Sequence, residues 1–376
     1  MTMNRHRIVR MMILPLLLII MVSCATARQE QPIEQPVQQT SVEYRSLEGT
    51  IENIDKYGNA TTTIDEATMT DAGYQLGDII TIAIGSQNID APYVGTYSDV
   101  DRGGFLVRPS SGKIALAMSY DNFAGKTGTD VGTAVTLTMA DKAGYLNEYE
   151  IRHLVKSEER TEYASDPVFA NFREMVAGKI ARQRLYRGCN PVLDDARAPY
   201  AAKLVEQAKI KTVINLADSK ESMAPNLPAA PYYQTLVEHG DVIALDMGID
   251  FNDPAFIAKL KDGLLFMLDH EGPYYVHCNE GKDRAGMVAA VLEALMGATV
   301  KEIEDDYMVT YTNYFHVSKT DAKYPLIAKI ITDMFVQMNN GQAVTDANIQ
   351  KVAEDYLINV VGLTRTQVSQ LKAKLS

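Results

Sequence analysis

The chain has 376 residues, 46% of them hydrophobic and 22% charged, with a formal net charge of −12 and no tryptophan. That length exceeds one typical domain and suits two, each with enough apolar residues for its own core. The acidic balance excludes nucleic acid and anionic lipid as general partners, and three cysteines, at 24, 189 and 278, are too few for a disulfide framework.

Arg5, Arg7 and Arg10 precede the apolar run Met11 to Val22, which is too short for a spanning helix of about 20 residues. Val22-Ser23-Cys24 resembles a bacterial lipobox, with Met21 where leucine is more usual. Residues 1–23 are therefore expected to be a lipoprotein signal peptide. The mature chain would start at a lipidated Cys24, anchored to the cell membrane on its extracytoplasmic side. Secretion after cleavage at Ala25-Thr26-Ala27, or an uncleaved anchor, are the alternatives, and all three export the protein. Residues 24–45, rich in Gln, Glu and Pro, lack the apolar side chains needed to fold and read as a flexible tether.

From residue 46 to 147 the pattern is β-like. Thr50 to Ile54, Ala60 to Ile64, Ile79 to Ile84, Gly104 to Val107, Ile114 to Met118 and Ala134 to Met139 are rich in Ile, Val and Thr and separated by turn residues. An all-β small barrel is expected. The stretch Gly49 to Ile64, with Thr96 to Val100 and Ser111 to Met118, resembles the C-terminal β-barrel of the S-adenosylmethionine hydroxide adenosyltransferases. There is no room for that family's catalytic N-terminal domain, so the resemblance implies no adenosyl chemistry.

Glu148 to Leu185 is polar and helix-compatible and joins the barrel to a second domain, residues 148–376. There helix and strand alternate: Ala196 to Ala208 helical, Thr212 to Leu216 and Val242 to Leu245 buried strands, Ala255 to Leu268 an amphipathic helix, Tyr274 to Val276 a third strand. The expectation is an α/β domain, a central sheet flanked by helices, with its ligand at the carboxyl ends of the strands. Thr299 and Thr364 open two late helices as capping boxes and Pro325 begins another. The acidic pair Asp305-Asp306 reads as solvated helix surface, and no metal site is assigned.

The segment Tyr274 to Gly286 reads Tyr-Tyr-Val-His-Cys-Asn-Glu-Gly-Lys-Asp-Arg-Ala-Gly: strand, tight loop, helix. Unpaired amides and the positive end of the dipole make a helix N-terminus an anion site. The same field lowers a cysteine pKa from about 8.5 toward 3.5–7.5. Cys278 is thus expected to be a thiolate, and Arg284 to offer a planar fork of donors to a phosphoryl group.

His277-Cys278-x5-Arg284 resembles the phosphate loop of the cysteine-dependent protein tyrosine phosphatase superfamily, and Gly281-Lys282-Asp283-Arg284 its bacterial tyrosine and phosphoinositide phosphatases. Leu185 to Pro191 resembles the entry segment of the bacterial enzymes. The resemblance implies a phosphomonoester hydrolase without cofactor, in which Cys278 forms a cysteinyl phosphate, Asn279, Glu280, Gly281, Lys282, Asp283 and Arg284 bind phosphate, and His277 supports the cysteine. The substrate would be a phosphotyrosine protein, or alternatively a phosphoinositide or inositol phosphate. Lys282 stands where phosphoinositide phosphatases carry a lysine; a surface lysine is the alternative. Cys189 offers either a regulatory disulfide with Cys278 or a packed core thiol.

One position departs from the family pattern. Ala285 replaces the Ser or Thr whose hydroxyl stabilises the departing thiolate. A lost hydrogen bond to a charged group costs about 1.5–3 kcal/mol, about ten- to a hundredfold in the hydrolysis step. A phospho-ligand-binding pseudophosphatase is the corresponding alternative.

The leaving oxygen needs a proton. Asp246, directly after the strand Val242 to Leu245 and 32 residues before Cys278, has the spacing of dual-specificity phosphatases and is the expected general acid. Asp250, Asp253 and Asp283 are the other candidates, Asp253 also as a helix N-cap.

Overall fold

The computed structural model describes residues 44–376. The signal segment, Cys24 and all but the last two residues of the expected tether lie outside the described residues.

The first half is built by seven antiparallel strands: β1 (Leu47–Ile54), β2 (Ala60–Asp65), β3 (Ile79–Ile84), β4 (Gln87–Pro92), β5 (Phe105–Ser110), β6 (Lys113–Met118) and β7 (Ala134–Asp141). They follow the order β4-β3-β7-β1-β2-β6-β5. Alternate residues such as Ile80, Ile82 and Ile84 point into one core, the period-2 pattern of a sheet with one dry face. The two edges nearly meet: Val94 N donates to Val107 O at 2.9 Å beside a Tyr93–Val107 bridge. The small barrel expected from the sequence is therefore present and almost closed. Six of its strands match the β-rich runs. The seventh, Gln-Asn-Ile-Asp-Ala-Pro, lacks that composition and forms because a two-residue turn folds it back onto β3 in register from Ile84↔Gln87 to Ile79↔Pro92.

A helix α1 (Leu146–Arg152) follows, and there the helical expectation for residues 148–185 ends. Most of that segment is irregular, with short helical turns at Arg160–Glu162 and Asp166–Phe169 and a two-residue strand β8 (Arg173–Glu174). Its chain is spent on bracing the second domain, as Asn171 and Arg173 show below.

The second sheet runs β11-β10-β12-β9-β8, with β9 (Leu185–Gly188), β10 (Thr212–Asn215), β11 (Val242–Ala244) and β12 (Tyr274–His277). The four named last are mutually parallel and β8 is antiparallel on the edge. Every residue of β10 and β12 is buried, because helices cover both faces. On one face lie α2 (Ala198–Gln207) and α3 (Pro231–His239). The other carries α4 (Pro254–Asp269), α5 (Asp283–Leu295), α6 (Val300–Phe315), α7 (Lys323–Met338), α8 (Ile349–Asp355) and α9 (Arg365–Leu375). Helix α5 is buried almost all round, from Ala285 to Leu295, so it is the central helix of this layer. Thr299 and Thr364 form the expected capping boxes; the helix expected at Pro325 begins two residues earlier.

Candidate active site

Strand β12 delivers His277 and Cys278 to the carboxyl end of the sheet, and α5 begins five residues after Cys278, so the loop 278–284 is held between two buried elements of the domain. Gly281 makes the turn possible. Its φ is +68°, and a Cβ there would lie 2.4 Å from the Gly188 backbone, a position open to glycine alone.

Four loop carbonyls, from Asn279 to Lys282, are held by donors outside the turn or in the first turn of α5. Asn190 N donates to Asn279 O at 3.1 Å. Tyr314 Oη and Asn171 Nδ2 both donate to Glu280 O at 3.1 Å. Arg187 Nη2 donates to Gly281 O at 2.9 Å, and Gly286 N to Lys282 O at 2.9 Å. With the oxygens held outward, the amides from Asn279 to Arg284 have no acceptor within the described residues. A ring of free N–H donors at the N-terminus of a buried helix is an oxyanion cradle.

Cys278 is 3% exposed and free, at the base of this loop. Cys189 is free as well, but it packs in the core on the opposite face of the sheet, and burial pushes its thiol far up. The structure thus gives Cys189 the packed role and no disulfide with Cys278.

Arg284 Nη1 donates to Met247 O at 3.0 Å and Leu216 O at 3.3 Å. His277 is fully buried, stacked on Tyr275, with Nε2 3.0 Å from Tyr233 Oη. Burial lowers its pKa to about 3, so the ring is neutral. Tyr233 is in turn held by Asn215, whose amide also donates to Asp218.

Lys282 is half-buried over the rings of Tyr311 and Phe315, with Nζ 3.5 Å from Glu280 Oε2. Glu280 also faces Lys156 at 3.4 Å. The Asp283 side chain is 54% exposed; desolvation beside the loop nonetheless raises its carboxyl above the ordinary range. The rim therefore carries two carboxylates against one loop lysine.

The general-acid candidates separate by what their side chains already do. Asp253 caps α4 by accepting from Ala255 N at 2.9 Å, and Asp250 accepts from Asn252 N at 2.9 Å. Asp246 is exposed, has φ +44°, and its carboxylate accepts no hydrogen bond among the described residues. It neighbours Met247, which touches Arg284.

Two features were missed in the sequence. Asp306 is not solvated surface: its carboxylate lies 2.7 Å from Arg173 Nε and 2.6 Å from Arg187 Nη1, and only 13% of its side chain is exposed. Asp305 alone is on the surface, paired with Lys301 and Lys319. Asn171, fully buried, was hidden in a segment read as connecting helix. For Asp306 the one signal was arithmetic, since Arg187 in a buried strand demands a carboxylate somewhere; Asn171 had none.

The barrel has its own concavity, a cleft of about 870 Å³ lined by Tyr57, Asn59, Tyr97, Tyr120 and Asn122 among others.

Residues 168–376 match the model of the tyrosine phosphatase family. Residues 49–136 match the C-terminal domain of the SAM hydroxide adenosyltransferases. No curated protein matches the chain. Among solved structures, the core catalytic domain of the PP-IP phosphatase Siw14 from S. cerevisiae, in complex with citrate, is 20% identical over 47% of this chain and 96% of that one, with a TM-score of 0.27. An uncharacterized conserved protein from Thermotoga maritima is 21% identical over 25% of this chain and 36% of that one, TM-score 0.24. A conserved hypothetical protein from Thermus thermophilus is 24% identical over 24% of this chain and 34% of that one, TM-score 0.20. The chain spans about a third of the length of these last two.

Proposed function

We propose that this chain, which belongs to the tyrosine phosphatase family, hydrolyses phosphomonoesters through a cysteinyl phosphate on Cys278. The observation that carries the reading is the braced loop: four carbonyls fixed outward, with the free amides left around one buried cysteine.

In this mechanism the phosphoryl oxygens occupy the ring of amides from Asn279 to Arg284, and Arg284 turns its guanidinium to two of them. Cys278 Sγ attacks phosphorus in line with the ester oxygen, and the P–O bond breaks as the S–P bond forms. Asp246 gives its proton to the leaving oxygen. The resulting carboxylate then takes a proton from water, which attacks phosphorus and releases Cys278 as the thiolate. His277, neutral and tied to Tyr233, is fixed beside the cysteine and exchanges no proton. Ala285 offers the departing thiolate no hydroxyl, so hydrolysis of the intermediate is the slow step.

Phosphotyrosine in a protein is the preferred substrate over phosphoinositides and inositol phosphates. Glu280 occupies Lys282, and Asp283 stands at the rim, so a second phosphate would meet carboxylates rather than a free cation. Phosphate release from phosphotyrosine peptide, phosphoinositide and inositol hexakisphosphate tests this. Faster release from either inositol compound rejects the protein substrate.

We also propose that the protein is exported and anchored through Cys24. Labelling with a fatty-acid analogue that disappears in Cys24→Ala supports the anchor; labelling that persists rejects it.

A further inference from the structure

We propose that Arg187, clamped by Asp306, is a positioning residue for the phosphate loop, acting through the loop backbone and through a fixed positive charge behind it. The proposal rests on the reading of residues 278–284 as the phosphate site.

Arg187 lies on β9 and is 1% exposed. One arm of its guanidinium, Nη1, is 2.6 Å from Asp306 Oδ2. The other, Nη2, donates to Gly281 O at 2.9 Å and Lys282 O at 3.4 Å. A second guanidinium steadies the clamp: Arg173 binds Asp306 through Nε at 2.7 Å and holds Asn171 Oδ1 at 2.9 Å. Asn171 in turn donates to Glu280 O. Room for the guanidinium comes from Gly286, where a Cβ would stand 3.0 Å from Arg187 Nη2 and 3.3 Å from the Tyr307 ring.

Stability does not explain this arrangement. A buried ion pair is commonly matched or exceeded by apolar residues of the same volume. What apolar packing cannot do is donate to Gly281 and Lys282 carbonyls, and that donation decides which way the loop amides face. Two guanidiniums face the Asp306 carboxylate, and the other acid of the cluster, Glu293 on α5, is 1% exposed with Oε1 unpartnered among the described residues. Burial raises its carboxyl well above the ordinary range. The Arg187 guanidinium sits behind the loop, on the side away from solvent, where its positive charge favours both the Cys278 thiolate and a bound oxyanion.

The test uses the full chain and three readouts: kcat and KM on an aryl phosphate per alkylatable Cys278, inhibition by inorganic phosphate, and the pH dependence of Cys278 alkylation by iodoacetate. Arg187→Met is expected to lower kcat/KM by about a hundredfold, to weaken phosphate inhibition, and to raise the pH midpoint of alkylation by about one unit. Arg187→Lys keeps the charge but not the two-armed reach. It should return the alkylation midpoint toward wild type while kcat/KM stays low. Gly286→Ala, which presses on Nη2 without removing it, should lower kcat/KM in the same direction and serves if Arg187→Met does not fold. If the variants lose thermal stability alone, with kcat per reactive thiol and the alkylation midpoint unchanged, Arg187 is merely structural and the proposal is wrong. If instead the wild type neither releases nor binds phosphate, the phosphatase-site reading itself fails.

Discussion

Arg284 Nη1 lies 3.0 Å from the carbonyl oxygen of Met247, which ties the arginine at the head of α5 to the loop that carries Asp246. Its second acceptor, Leu216 O, is 3.3 Å away at the end of β10. Both acceptors are neutral carbonyls, whereas a phosphate adds opposite charge and a bidentate fit to the guanidinium. An oxyanion in the loop therefore draws the guanidinium off Met247 and frees residues 246–253. Hydrogen exchange in that segment should quicken when inorganic phosphate or vanadate binds. Unchanged exchange at saturating ligand contradicts this link.

Asp246 is the aspartate of its loop left without a structural task, since Asp250 and Asp253 each cap a backbone amide. Asp246→Asn should lower kcat on phosphotyrosine by about 10²–10⁴. The loss should shrink with aryl phosphates whose leaving groups need no proton. An equal loss across leaving groups would show that Asp246 does something other than donate a proton.

Ala285 is fully buried in the first turn of α5. Ala285→Ser restores a hydroxyl at the departing thiolate, and about 1.5–3 kcal/mol for such a bond predicts about a tenfold or greater gain in the hydrolysis step. Rapid-mixing kinetics check it: wild type should show a burst of leaving group before slow turnover, and Ala285→Ser a smaller burst with faster turnover. A wild type without a burst places the slow step elsewhere.

The geometry of the loop from Cys278 to Arg284 was legible because it is local: the cysteine, the glycine and the arginine occupy one strand–turn–helix unit. The barrel strands were legible for the same reason, through their period-2 Ile and Val. Legibility failed where one residue's role depends on a distant partner. Asp306 reads as surface until Arg173 and Arg187, more than a hundred residues away in sequence, are seen beside it. Asn171 sits in a stretch whose composition suits a helix, yet its backbone takes φ +49° so that its amide can reach Glu280 O and Thr310. Cys189, one residue beyond the β9–β12 ladder, reads as a neighbour of Cys278, but the strand ends at Gly188 and the side chain turns to the other core.

His277 makes a pH prediction with a definite sign. Burial holds its pKa at about 3 in the folded chain, against about 6.5 when unfolded. Below pH 6.5 the unfolded chain takes up a proton that the folded ring refuses, so this residue removes stability as pH falls from about 6.5 toward 3 and none above. Relative to His277→Gln, which cannot titrate, wild-type stability should fall by about 2 kcal/mol more between about pH 7 and pH 5. Denaturant unfolding at the two pH values measures it, and a constant difference between the two proteins would show that the ring is protonated in the fold.

The most direct test of the account is to denature the chain rapidly during turnover of a phosphotyrosine peptide and locate the phosphoryl group by mass spectrometry. The account predicts a phosphoryl adduct on Cys278, absent from Cys278→Ser together with all phosphate release. Phosphate release that survives in Cys278→Ser, or an adduct on another residue, contradicts it.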